Sequence, residues 1–548
     1  MTSRSLGMAL LLWSAVALAV PEGPEYPSPE WTQRELSNYA KVSEAPLEQA
    51  SNPVFMQRLT EQGLANFQSY VERSVADPSW NLSQALNTPL TPLCTTWSLQ
   101  CTGDPFRYPG VDPFYETEAE VASFVYYDQD CARISGRVWK PLRAEPGLPA
   151  VIIENGSVQA PEPLYWWAAQ LLVRNGYVVM TFDPRGQGRS DQQSPTAEQG
   201  SNINPSVFWE GLVNAIDFFR SNPVQPYPHN ETCAGTYPTE VTAFNPFHET
   251  DDPDRLGLAG HSLGGRGVSV VQGYGGVGAD PYPGLLDSEN PVDVIVAWDG
   301  LSDPNAGGAG GAAGNVPGLS DLTGTFTGGD EPVFVPRVPA MGHSSEYGLT
   351  PAPFLQAPDP EGHKGAFASW QAAAVPAYQL TIQGSSHYEW SLIPTFPTTS
   401  WCPEVVDGQC ADGWGLPLAE HYTLAWFDRW LKQPGEVGYD TADARLTADE
   451  QWADRMSFYY RSARDFPARN GQALQCDDIR GAVVDGSSCG AAATVTGSGS
   501  AGNSLSSNRS GGGCTLVVEP GAKDPVLALL VLLAILGIAR HRFKPHKH

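Results

Sequence analysis

Apolar and polar positions along this chain follow two different periods, and the change between them falls near residue 116. Before it, residues 20–115 mix Pro-rich stretches with segments such as NPVFMQRLTEQGLANFQSYVERSV, whose apolar residues return every three to four positions and predict helices. From 116 onward, short apolar runs of strand type alternate with helical patterns. Val121–Tyr127 and Arg133–Trp139, separated by a polar turn, predict an antiparallel hairpin. Ala150–Ile153, Tyr177–Phe182, Leu256–Ala259, Val292–Ala297, Val338–Met341 and Tyr378–Ile382 predict buried strands, with the helical PLYWWAAQLLVRNG between the first two. This alternation predicts an α/β architecture, a mostly parallel sheet with helices on both faces, preceded by a helical N-terminal extension.

Both ends of the chain depart from that pattern. MTSRSLGMALLLWSAVALAV has a basic residue, an apolar run and a small-residue cleavage site, and reads as a secretory signal peptide over 1–19. Residues 490–513 are rich in Gly, Ser and Asn, and a tether is expected over 476–513. In 514–548 an uncharged run from Pro525 to Ala539 precedes Arg540, Arg542, Lys544 and Lys547, and reads as a membrane segment with a cytoplasmic basic end. The expected organisation is therefore signal peptide 1–19, helical extension 20–115, catalytic-type α/β domain 116–475, tether 476–513 and membrane segment 514–548. The Gly-rich segment 301–329 reads as an insertion between two strands.

Charge and cysteine content narrow the function classes. The formal net charge is −28, from 32 basic and 60 acidic residues, which excludes the phosphate-neutralising surface a nucleic-acid binder needs. Nine cysteines without C-x-x-C spacing favour disulfides over a metal site, and no cofactor signature is present. Cys94 with Cys101, Cys402 with Cys410 and Cys476 with Cys489 are neighbours in sequence, leaving Cys131, Cys233 and the odd Cys514; the pairing itself is not derivable from spacing. Two glycine patterns are set aside. Gly273–Gly278 matches G-x-G-x-x-G but follows a helix, and DPRGQGRSD at 183–191 follows a strand but lacks the third glycine.

The chemistry concentrates in RLGLAGHSLGGRGVSV, residues 255–270. Gly260-His-Ser262-Leu-Gly264 is a G-x-S-x-G match that leaves a predicted strand and enters a predicted helix, the setting in which a sharp turn lifts a serine hydroxyl above a sheet edge. A second match around Ser488 lies in a Gly- and Ser-rich stretch with neither flanking element, and reads as a loop. A serine nucleophile needs a base oriented by a carboxylate. In the order serine, acid, histidine, the candidates for the base are His343, His363, His387 and His421. His387 follows the last strand and a short Gly-Ser-Ser turn and is preferred; His421 reads as a helical packing residue and His363 as an exposed turn. The acid is expected at Glu346, after the preceding strand, with Asp303 and then Asp299 as alternatives.

These residues carry a resemblance. Asn155-Gly-Ser157, DPRGQGRSD, GHSLGG, PAMGHSSEY and QGSSHYEWS, spread over residues 116–435 and closed by AEHYTLAWFDRWLK, resemble the secreted α/β-hydrolases of the dienelactone hydrolase and cutinase groups of serine esterases. The resemblance implies an α/β-hydrolase fold and an esterase working through an acyl-enzyme, on a small-molecule or polymeric ester, with no metal or cofactor. It also implies an oxyanion hole from the backbone N–H groups of Leu263 and Ser157. Tyr388 and Trp390, flanking the histidine, are expected to contact substrate. The usual acid of such enzymes is Asp, and Glu346 departs from that. Two other readings stand beside it: a serine peptidase of the prolyl-oligopeptidase kind, and an inactive scaffold that serves as a surface binding protein. The tail SGGGCTLVVEPGAKDPVLALLVLLAILGIARHRFKPHKH resembles the carboxy-terminal sorting signals of bacterial surface proteins, which implies export, membrane attachment through the C-terminus and a sorting protease as partner.

Overall fold

Strand residues with apolar side chains on both faces require layers above and below, and this dictates the architecture. In a computed structural model of the chain, the described residues are 23–80, 101–157, 160–200, 204–305, 331–349, 351–391, 404–406, 409–411, 413–487 and 489. The chain divides into two units, Met1–Ala493 and Thr494–His548, and the second lies outside the described residues.

The first unit is built on one ten-stranded sheet in the order β1-β2-β4-β3-β5-β6-β7-β8-β11-β12. Its strands are β1 (Ala119–Tyr127), β2 (Arg133–Pro141), β3 (Leu148–Glu154), β4 (Val178–Asp183), β5 (Asp251–His261), β6 (Val292–Trp298), β7 (Ala340–Ser345), β8 (Ala377–Ile382), β11 (Ala463–Pro467) and β12 (Ala473–Cys476). A separate ladder joins β9 (Glu404–Val406) to β10 (Gln409–Ala411). Neighbours from β4 through β8 run parallel, and antiparallel pairs close both edges. The mostly parallel sheet and the expected hairpin are therefore present. The two edge strands after residue 460 have weak apolar alternation and were not anticipated.

Two helices precede the sheet, α1 (Pro29–Ser51) and α2 (Pro53–Ala76). Ser28 and Asn52 cap their first turns through side-chain oxygens, and Pro29 and Pro53 occupy first-turn positions where no N–H is needed. Within the sheet domain, α3 (Trp166–Arg174) and α7 (Leu416–Leu431) cover one face. The other is covered by α4 (Val207–Arg220), α5 (Leu263–Gly273) and α6 (Gly365–Ala372). Alternate strand residues feed the two cores: Val151 and Ile153 join the first, Ala150 and Ile152 the second.

The extension is fastened to the sheet domain by buried polar contacts. Arg133 of β2 pairs with Asp191 at 2.9 Å, donates to Ser79 and Thr239, and lies between the rings of Trp80 and Tyr237. A guanidinium wholly buried in this way needs each of those partners, since an unpaired buried charge is strongly destabilising.

Several expectations change. The disulfides do not: Cys476 is bridged to Cys489, a pair offered by their closeness in sequence, and Cys131, left without a partner there, is bridged to Cys233. Residues 476–487, expected at the start of a tether, instead end a strand and form the helix Ile479–Val484. The expected membrane attachment is corrected: among the described residues no helix is long and apolar enough to cross a membrane. The segments 1–19 and 514–548 that suggested export and sorting lie outside the described residues, as do Cys514 and Ser488, and the surface-tethered localisation is withdrawn.

The bridge between Cys131 and Cys233 closes 102 residues and that between Cys476 and Cys489 only 13. Loop-closure entropy grows with the length closed. Replacing the first pair by serine is therefore expected to lower unfolding free energy by about 4 to 5 kcal/mol, and the second by about 3. Denaturant midpoints of the two double variants, compared with the parent, check the ranking.

Candidate functional site

The strand order reverses between β3 and β5: the chain steps from β3 outward to β4, then returns to the other side of β3 as β5. In sheets of this kind such a reversal, at the carboxyl ends of the parallel strands, is the usual ligand position. Asn155-Gly156-Ser157 leaves β3 there and Ser262 leaves β5.

Ser262 is the single residue between β5 and α5, with φ 57° and ψ −122°. A non-glycine residue at positive φ costs of order 1–3 kcal/mol and persists only where its surroundings hold it. Here its N–H donates to the Trp298 carbonyl at 3.0 Å, and its own carbonyl starts the helix by accepting from Arg266. Glycine is required alongside: a Cβ on Gly264 would stand 2.3 Å from the Asn155 carbonyl oxygen, so only glycine lets α5 approach the β3 loop. A Cβ on Gly156 would meet His261 Nδ1 at 2.9 Å and the Ser262 Cβ at 3.3 Å, which puts the β3 loop directly against the serine. Leu263, the first residue of α5, packs with Val207 and Phe208 of α4, and Ser157 is half-buried in the turn beyond Gly156.

His387 follows β8 and is buried, with its Nδ1 2.6 Å from Oδ2 of Asp299. Asp299 is the first residue after β6 and also has positive φ, 50°. Its carboxylate accepts from the Ser345 N–H at 2.7 Å and the Ser345 hydroxyl at 2.8 Å. Burial by itself would raise this carboxyl, but the His387 contact and the Ser345 donors outweigh it and hold the acid below its ordinary range.

The expected acid is elsewhere. Glu346 is wholly buried and accepts from Asn38 Nδ2 at 2.5 Å, Ser457 Oγ at 2.5 Å and the Gly384 N–H at 2.6 Å. The structure does not bring it to the His387 ring, because the β7 turn directs it toward α1. Burial raises its pKa above the ordinary carboxyl range, only partly offset by those three donors, and the charge of Glu35 raises it further. Asp303 accepts from Ser369 Oγ at 2.6 Å and from the Asn305 N–H, and the ring nitrogen of His387 is held by Asp299 instead. Trp390, expected against substrate, is 0% exposed: its indole N–H donates to His343 and its carbonyl accepts from Trp167. Tyr388 is half-buried beside His387, and burial pushes its hydroxyl up to about 12. His363, read as an exposed turn, is buried and stacks on Tyr460 at 3.6 Å.

A residue the motif reading passed over ties the loops together. His261 Nε2 lies 2.8 Å from the His387 carbonyl, and its Nδ1 lies 2.9 Å from the Tyr165 hydroxyl, which in turn is 3.0 Å from the Gly156 N–H. A carbonyl only accepts, so Nε2 carries the proton, Nδ1 accepts from Tyr165, and Tyr165 accepts from Gly156. Burial, and after it the proximity of His387, push His261 down to about 3, so the ring stays neutral. Its signal in the sequence was only its place before the serine.

Among the described residues no group of His, Cys, Asp or Glu is arranged to hold a metal ion. Beside the elbow, Glu154 at the end of β3 is wholly buried, and among the described residues neither of its oxygens has a hydrogen-bond partner. Burial alone raises its carboxyl well above the ordinary range. No known family model matches this chain, and no curated protein matches it either.

The native state holds a proton on Glu154 that the unfolded chain releases above its ordinary range, near 4.3. Stability contributed at this site is thus lost as pH rises beyond that value, by up to about 1.4 kcal/mol per pH unit. Glu154→Gln removes the titration, so its melting temperature should gain on the parent progressively between about pH 5 and about pH 8. A difference that stays constant across that range would show that Glu154 ionises normally.

Proposed function

We propose that this protein is a serine hydrolase of the α/β-hydrolase fold that cleaves carboxylic esters through an acyl-enzyme on Ser262. The observation that carries the reading is the buried 2.6 Å contact between His387 and Asp299, on a loop joined through His261 to the strand that ends at Ser262, a serine at positive φ in a strand-to-helix turn. His387 is the general base, and Asp299 takes the orienting role for which Glu346 was the sequence candidate.

Asp299 accepts from Nδ1–H and so leaves Nε2 of His387 able to take a proton. The Ser262 hydroxyl attacks the ester carbonyl carbon and gives its proton to that nitrogen. The oxyanion that forms is met by the backbone N–H of Leu263 at the start of α5 and that of Ser157, one such donor commonly being worth about 3 kcal/mol of barrier. Collapse expels the alcohol, which takes the proton back from His387 and leaves the acyl group on Ser262. A water activated by the same nitrogen then releases the carboxylic acid and restores the serine. The sequence resemblance to the dienelactone hydrolase and cutinase groups favours esters over peptides, and the ester itself is left open by fold and triad alike.

A fluorophosphonate probe should label Ser262, identified by peptide mass mapping, and Ser262→Ala should lose both labelling and hydrolysis of activated esters while keeping its circular dichroism. Retained hydrolysis, or labelling at another serine, would sink the assignment. Asp299→Asn presents an amide donor to Nδ1 and imposes the wrong tautomer. Turnover should fall by on the order of 10⁴ with little change in KM. A loss below about tenfold would mean that another acid orients His387.

A further inference from the structure

The helical N-terminal extension reaches the loop that carries His387. Resting on the assignment of His387 as the base, we propose that Asn38 of α1 and Glu346 are a positioning pair for that loop, making the extension a working part of the catalytic centre.

Two short turns face each other at the ends of β7 and β8. Gly384 donates its N–H to Glu346 Oε2 at 2.6 Å, Glu346 donates its own N–H to Ser385 Oγ at 3.2 Å, Tyr347 donates to the Ser385 carbonyl at 3.0 Å, and His387 donates to the Gly348 carbonyl at 3.0 Å. Residues 384–387 are thus fastened to 346–348 at four points, two of them backbone to backbone, and the only side-chain carboxylate among them belongs to Glu346. Gly384 stands at φ +60°, where the chain turns out of β8 toward the histidine. An error in that turn is carried three residues along to the imidazole.

One of the three donors that hold the Glu346 carboxylate comes from α1. Asn38 Nδ2 donates to Glu346 Oε2 at 2.5 Å and to the Tyr347 hydroxyl at 3.0 Å. One turn earlier on the same helix face, Glu35 accepts from the Tyr347 hydroxyl at 3.1 Å, from the Phe354 N–H at 2.7 Å and from the Tyr459 hydroxyl. Asn38 and Glu35 are nearly inaccessible to water, at 2% and 1% exposure. Space is as tight as the bonding: a Cβ on Gly384 would sit 3.0 Å from Asn38 Oδ1 and 3.2 Å from Lys41 Cδ, so α1 lies directly on the turn. A buried carboxylate whose donors come from α1, from the histidine turn and from Ser457 couples those three segments. Loss of one donor leaves the other two to re-orient it.

The test compares Glu346→Ala, Glu346→Gln and Asn38→Ala in the full chain. Glu346→Ala removes the acceptor of the Gly384 N–H; misplacing a catalytic group by about 1 Å can cost on the order of 100-fold. Ester turnover is expected to fall by roughly ten- to a hundredfold with KM within about twofold, and Asn38→Ala is expected to do the same to a smaller extent. Glu346→Gln keeps an amide oxygen for Gly384 and should recover most of the loss. Independently of any activity, amide hydrogen exchange over 383–391 should accelerate in Glu346→Ala and Asn38→Ala, with the remaining core unchanged. Parent-like turnover in Glu346→Ala, a Gln variant as impaired as the Ala variant, or unaltered exchange over 383–391 would each overturn the proposal. If instead the parent protein is inert to fluorophosphonate and esters while exchange responds as expected, the hydrolase reading fails and the coupling of α1 to this loop stands.

Discussion

The neutral ring of His261 is the joint at which three separate loops meet. Its two nitrogens face a carbonyl and a hydroxyl, and the carbonyl leaves no freedom: Nε2 donates to His387 and Nδ1 must accept from Tyr165. Tyr165 then has only its lone pairs for the Gly156 N–H. The β3 loop, the serine turn and the histidine loop are thereby linked by bonds whose directions are all determined by one tautomer. Burial keeps that tautomer safe, because protonating the ring would set two donors against Tyr165 and cost a buried charge. A surface histidine at this position would switch with pH and let the loops move apart.

That joint works because the sheet brings the three loop origins to one edge. Parallel strands all discharge at the same end, and the order reverses between β3 and β5. At that end two residues at positive φ, Ser262 and Asp299, follow adjacent strands. The strain each carries is held by backbone bonds to the neighbouring strand: Ser262 N–H to Trp298, and Asp299 N–H to His343. β6 therefore braces the turn that leaves β5, and β7 the turn that leaves β6.

How far this was readable without coordinates depended on whether the signal was local. The strand, turn and helix around Ser262 were legible because a buried run, tight glycines and a second periodicity follow one another within a few residues. His387 was legible from its place after the last strand of the apolar series. The partner of its Nδ1 was not, since Asp299 and Glu346 each stand first after a strand, one on β6 and one on β7, and composition treats the two alike. What separates them is tertiary: Asp299 turns back over the sheet edge toward His387, whereas Glu346 is drawn off by donors from α1 and Ser457. The same limit explains Trp390, expected against substrate from its place beside the histidine, and His363, read as an exposed turn: the rings of both are enclosed by segments remote along the chain.

The helical extension shows the same limit from the other side. Its sequence has the ordinary marks of capped amphipathic helices, and Glu35 and Asn38 look like solvated polar positions one turn apart. Burying them is acceptable only because partners arrive from residues 346, 347, 354 and 459, more than 300 positions away. A polar pair that is costly to bury and complete only in the assembled fold makes docking of α1 conditional on a correctly formed β7–β8 edge, and the reverse. The extension and the histidine loop are therefore expected to order together, since each provides the hydrogen bonds that the other's buried groups lack.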